Sequence, residues 1–115
     1  MKNTRTELLL CVESIREDLT RAYEGWDQKP GDLEETFDLV DYISENALDI
    51  EYTIGSDKGY RGARIAVTLG GPNIYINTRR GAVEGYWGTE RAEAWIPSEI
   101  CAEIDSLMEM DFECL

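Results

Sequence analysis

The spacing of apolar residues changes twice along this chain, and the changes separate two helix-forming ends from a strand-forming middle. Leu8, Val12, Ile15, Leu19, Ala22 and Trp26 recur at alternating steps of four and three residues, which gathers them on one face of an α-helix. From Ile50 the step falls to two. Ile50, Tyr52 and Ile54 alternate with polar neighbours, as do Ala63, Ile65, Val67 and Leu69, then Ile74 and Ile76, then Val83 and Trp87. A two-residue period sends successive side chains to opposite faces of a strand. After Pro97 the helical step returns with Ile100, Cys101, Ile104, Leu107 and Met108, reaching toward Phe112.

Local chemistry supplies the boundaries. The first helix is expected from about Thr4 to Glu24, with Thr4 and Glu7 spaced as a capping box. Gly25 and the run Asp27 to Gly31, which contains Pro30, interrupt it. A second helix is expected from about Asp32 to Ala47, with Asp32 and Glu35 as cap and reciprocal partner and with Leu33, Phe37, Val40, Ile43 and Ala47 on one side. Gly70-Gly71-Pro72-Asn73, Arg79-Arg80-Gly81 and Gly88-Thr89-Glu90 suit tight reversals, so neighbouring strands should pair antiparallel as a meander. A last strand runs from Arg91 to Ile96, and Ser98 is positioned to cap the final helix. The expected order is α-α-β-β-β-β-β-α: an α+β two-layer sandwich in which an antiparallel four- to five-stranded meander sheet is packed by three helices. Residues 1–115 are expected to form a single domain, long enough to bury roughly two thirds of the unfolded surface.

Composition narrows the chemistry. There is no histidine, so the usual acid–base residue near neutral pH and the commonest transition-metal ligand are both missing. Three cysteines at unrelated spacings, Cys11, Cys101 and Cys114, cannot close a disulfide framework and suit a reducing compartment. The apolar run Leu8 to Val12 ends at Glu13, short of a signal peptide or membrane span, and the protein is expected to be cytoplasmic. The glycines form no phosphate-binding loop that ends in Lys followed by Ser or Thr, and they read as turns, bulges or points of close approach. Cys11 and Cys101 fall on apolar stripes, as small core residues do. Trp26, Trp87 and Trp95 read as core or core-edge residues. No catalytic motif, cofactor or metal site is expected.

The formal net charge is −13 and it is unevenly placed. Residues 1–53 hold fourteen acids against five bases, residues 54–96 four against six, and residues 97–115 six against none. The helical segments are therefore acidic and the strands slightly basic. On the expected second helix Glu34, Asp38, Asp41 and Glu45 are spaced by four, three and four residues, which keeps all four carboxylates within one strip opposite the apolar face. Consecutive members would sit roughly 4.5–6 Å apart along the axis, of the order of nucleic-acid phosphate spacing. The bland interpretation is a solvated face on a soluble protein. The functional one is a contact rail for a basic protein surface, in its sharpest form nucleic-acid mimicry against a nucleic-acid-processing or defence enzyme, as would suit a phage or mobile element. Direct nucleic-acid binding is disfavoured by the same charge, and no membrane partner is expected. The alternative is a small adaptor or regulatory domain that binds through the sheet. If Ile65, Val67, Ile74 and Ile76 face the helices, Arg64, Tyr75, Asn77, Arg79, Glu84 and Tyr86 share the opposite face, where Arg64, Tyr75, Arg79 and Tyr86 would form an aromatic and basic site. The residues leave the oligomeric state open.

Overall fold

The structure is a computed structural model that describes residues 4–25 and 37–115. Helix α1 spans Thr4–Glu24 and α2 Leu39–Asn46, followed by strands β1 (Asp49–Ile54), β2 (Tyr60–Thr68), β3 (Asn73–Asn77), β4 (Ala82–Trp87) and β5 (Glu90–Trp95), and then by α3 (Ser98–Glu113). The strands form one antiparallel sheet in chain order β1-β2-β3-β4-β5. The expected α+β class and element order are both present.

Every reversal uses local hydrogen bonds or a permissive residue. Gly88 adopts φ +61°, so Gly88 and Thr89 form the two-residue turn that sets Trp87 opposite Glu90. Between β3 and β4 the Asn77 side-chain oxygen accepts from the backbone N–H groups of Arg79 (3.1 Å) and Arg80 (3.2 Å). Between β1 and β2 the Asp57 carboxylate accepts from the Gly59 N–H at 2.9 Å and pairs with Arg61 at 2.9 Å. Those donors hold the Asp57 carboxyl below its ordinary range.

One face of the sheet carries the core. Ala63, Ile65, Ile74, Ile76, Val83 and Ala94 are buried against Leu8, Val12 and Leu19 of α1, Leu39 and Ile43 of α2, and Ile100, Ile104 and Met108 of α3. Helix α1 lies over β4 and β5, and α3 lies over β2. The row Val83, Gly85, Ala92 and Ala94 is small, which lets α1 approach closely: a Cβ added at Gly85 would stand 2.7 Å from Leu8 Cδ1 and 2.8 Å from Val12 Cγ1. Glycine is thus required here for close approach rather than for a turn.

Two helix starts differ from the sequence expectation. The second helix does not run through from Asp32: Asp38 is extended (φ −108°, ψ −175°) and is the N-cap, so the helix begins at Leu39. Residues 32–36, including the expected cap pair Asp32 and Glu35, lie outside the described residues. The Asp38 carboxylate accepts from the Asp41 N–H at 3.0 Å, and the Asp41 carboxylate accepts from the Asp38 N–H at 3.1 Å. This capping box satisfies two otherwise orphaned donors and outweighs the helical periodicity that continues upstream. Asp38→Ala should lower stability by about 1 kcal/mol in urea unfolding, while Asp38→Asn, which keeps an acceptor, should cost only a few tenths. At α3 the N-cap is Pro97, without a side-chain cap, and Ser98 is the first helical residue. Proline's fixed φ is compatible with that entry.

Candidate functional site

The predicted four-carboxylate rail is not a single helical strip. Glu34 lies outside the described residues, Asp38 is a cap and Asp41 is its partner; only Asp41 and Glu45 are within α2, four residues apart. The acidic surface is instead most continuous on α3, which carries Glu99, Glu103, Asp105, Glu109, Asp111 and Glu113 and no basic residue. At about 100° per residue, Glu99, Glu103, Glu109 and Glu113 occupy a strip about 120° wide, opposite Ile104. All four are exposed. Three of the six carboxylates stand near the C-terminal end, where the helix dipole favours cations.

The other two α3 carboxylates anchor the helix to the sheet. Asp105 accepts from the Tyr60 hydroxyl at 2.6 Å, and Asp111 accepts from the Tyr52 hydroxyl. Phe112 stacks near both rings, at 5.4 Å from Tyr52 and 6.4 Å from Tyr60. Burial and then the bond to Asp111 push the Tyr52 phenol up to about 12, and burial and Asp105 raise Tyr60 as well. Buried Tyr42 is also raised, by desolvation and by Asp18. The folded state therefore favours the neutral phenols. Their contribution is complete below the unfolded value near 10 and for Tyr52 is lost as pH rises from about 10 to about 12. Urea stability measured across that window should fall more steeply in the parent than in Tyr52→Phe.

The opposite face of the sheet is organised around a buried acid. Glu84 is 5 % exposed; its Oε1 accepts from the Asn77 amide at 3.0 Å and lies 3.5 Å from Arg64 Nε, while its Oε2 accepts from the Tyr86 hydroxyl at 3.4 Å. The Arg64 guanidinium covers the Tyr75 ring at 3.6 Å, and Tyr75 meets Tyr86 edge-on. Of the predicted sheet-face set, Arg64, Tyr75, Asn77, Glu84 and Tyr86 are thus brought together. Arg79 lies in the following turn with its aliphatic stem across Gly62, where an added Cβ would stand 2.2 Å from Arg79 Cγ. Sequence reasoning missed the β5 contribution: Glu93 pairs with Arg80 at 2.9 Å and with Arg91 at 3.5 Å, Arg91 lies over Tyr86, and Arg80 lies over Trp95. Trp95 is 61 % exposed, not part of the core, because it stands opposite Ala82 on this outer face. The two-residue turn at Gly88-Thr89 was the signal, since it sets Tyr86 opposite Arg91 and Glu84 opposite Glu93.

Ion pairs tie the sheet and its turns together, among them Asp57–Arg61, Arg64–Glu84 and Arg80–Glu93, while α3 carries Glu99, Glu103, Glu109 and Glu113 outward. Cys101 donates to the Thr78 carbonyl at 3.2 Å, and burial, with Asp105 nearby, pushes its thiol up, which keeps it protonated at neutral pH. Among the described residues no group of three or more Cys, Asp or Glu side chains is arranged to hold a metal ion, and no helix is long and apolar enough to cross a membrane. Comparison with protein-family models, curated proteins and solved structures finds no match.

Proposed function

We propose that the protein is a non-enzymatic binding module whose acidic helical layer docks on a basic surface of another protein. In its sharpest form it inhibits a nucleic-acid-processing or defence enzyme by occupying a surface that otherwise holds phosphates. The reading rests on α3, with six carboxylates and no cation over 16 residues. Glu99 with Glu103, Asp105 with Glu109, and Glu109 with Glu113 are like-charge pairs four apart, each costing about 0.2–0.5 kcal/mol, and the acidic C-terminal end adds about 0.3–1 kcal/mol. A cationic partner relieves that repulsion. The exposed strip Glu99, Glu103, Glu109 and Glu113 is the contact surface, with Asp41 and Glu45 of α2 on the same helical layer. The three free thiols suit the cytoplasm.

A second reading is favoured by the Arg64–Tyr75–Glu84–Tyr86 cluster: an adaptor that binds through its sheet face, where Tyr, Trp and Arg are the residue types that anchor interfaces. Salt separates the two. Capture from lysate at about 0.1 M salt, where the screening length is about 10 Å, should retain a basic partner that is lost at about 1 M, where it is about 3 Å. Retention at both salts points to the sheet face.

A further inference from the structure

A trough adjoins the acidic strip, with Glu103 common to both. A hollow of about 350 Å³ lies between α2, α3 and β1, lined by Val40, Ile43, Ala47, Leu107 and Met108 and also by the polar Ser44 and Asp111. A second hollow, of about 390 Å³, adjoins it on the side of α1; Val40 and Leu107 line both, and Asp38 and Glu103 are among the residues that line the second. Among the described residues, no Lys or Arg lines either hollow. Val40 projects from α2 at 50 % exposure, an apolar side chain left in water.

Apolar side chains interleaved with the carboxylates Asp38, Glu103 and Asp111 complement a ligand that is apolar along one line and cationic beside it. The mid-helix backbone groups of α2 and α3 bond within their own helices, so a segment lying between the two helices, away from the open edge of β1, finds few backbone partners. An extended peptide there would bury its own N–H and C=O groups unpaired, whereas a helix satisfies them internally. We infer that the trough binds a basic amphipathic helix of the partner, with apolar anchors at i, i+3/i+4 and i+7 between α2 and α3 and with Lys or Arg beside Asp38, Glu103 and Asp111. The inference rests on the acidic-layer reading and specifies the form of the partner. Helix α2 is about 12 Å long, so the trough matches about two turns of ligand.

The test uses the full chain and two fluorescent peptides of about 14 residues, roughly 21 Å when helical. One has Leu on a single helical stripe flanked by Lys. The other has the same composition shuffled to destroy the stripe. By anisotropy the striped peptide should bind at least tenfold tighter, Val40→Gln should weaken it at least fivefold without changing the shuffled peptide, and Glu103→Gln should weaken both. Amide shifts in the ¹⁵N-labelled parent should cluster at Val40, Ile43, Leu107 and Met108, which guards against a variant that fails to fold. Equal affinity for both peptides, with shifts spread over α3 alone, overturns the trough while leaving the acidic-layer reading intact; no binding of either removes both. Dimerisation that Val40→Gln abolishes and that excludes the peptide would assign the trough to a second copy and overturn the inference.

Discussion

Gly85→Val should destabilise the protein by about 2 kcal/mol net, although valine is among the best strand formers and glycine among the worst. Strand preference alone favours the substitution by up to about 1 kcal/mol. Against it, the new Cβ enters a space already filled: 2.7 Å from Leu8 Cδ1 and 2.8 Å from Val12 Cγ1. Both residues are fully buried and have nowhere to turn, so α1 must lift from β4 and β5. Overpacking of that kind costs about 1–3 kcal/mol, and the two further methyls of valine put it at the upper end. Gly85→Ala should fall between. Urea unfolding with an unchanged slope measures the difference. A neutral or stabilising result would mean that α1 is not seated on this strand.

Arg64→Ala should cost about 2–4 kcal/mol, clearly more than Glu84→Gln. Removing Arg64 leaves a carboxylate whose side chain is 7 % exposed without its cation, and it also uncovers Tyr75. Glu84→Gln keeps an oxygen to accept from Asn77, and the Arg64 side chain, 34 % exposed, can turn toward water. The asymmetry follows from where each charge is left, and a double-mutant cycle on the pair should return a coupling of about 1–3 kcal/mol. Equal costs would mean that Glu84 is hydrated and that the face is less organised than these distances imply.

The architecture was readable because period and turn chemistry agree. The two-residue alternation from Ile50 to Trp87, with glycine-containing reversals, leaves a meander as the simplest arrangement, and α1 appears over the span that its apolar step defines. The start of α2 was misread because Phe37, Val40 and Ile43 keep a helical step on both sides of Asp38, while Asp38 and Asp41 are as well spaced for capping as Asp32 and Glu35. Periodicity does not reveal which of two adequate caps ends the extended chain. Moving the cap six residues downstream, from Asp32 to Asp38, breaks the expected rail and leaves the acidic surface most continuous on α3, whose composition is visible in the sequence. The outer sheet face was half legible: alternation grouped Arg64, Tyr75, Glu84 and Tyr86, but the partnership of Arg80, Arg91 and Glu93 required the β4–β5 register. The bonds from Tyr60 to Asp105 and from Tyr52 to Asp111 join residues 45 and 59 positions apart and had no local signal.

The most direct measurement compares the affinity of one purified basic partner for three forms of the protein: the parent, a variant with Glu99, Glu103, Glu109 and Glu113 all replaced by Gln, and a variant with Arg79→Ala and Tyr86→Ala. Each exposed charge contributes up to about 1 kcal/mol, so the four-Gln variant should bind at least tenfold more weakly while the sheet variant binds like the parent. Full affinity in the four-Gln variant, with loss in the sheet variant, would contradict the account and assign the interface to the β face.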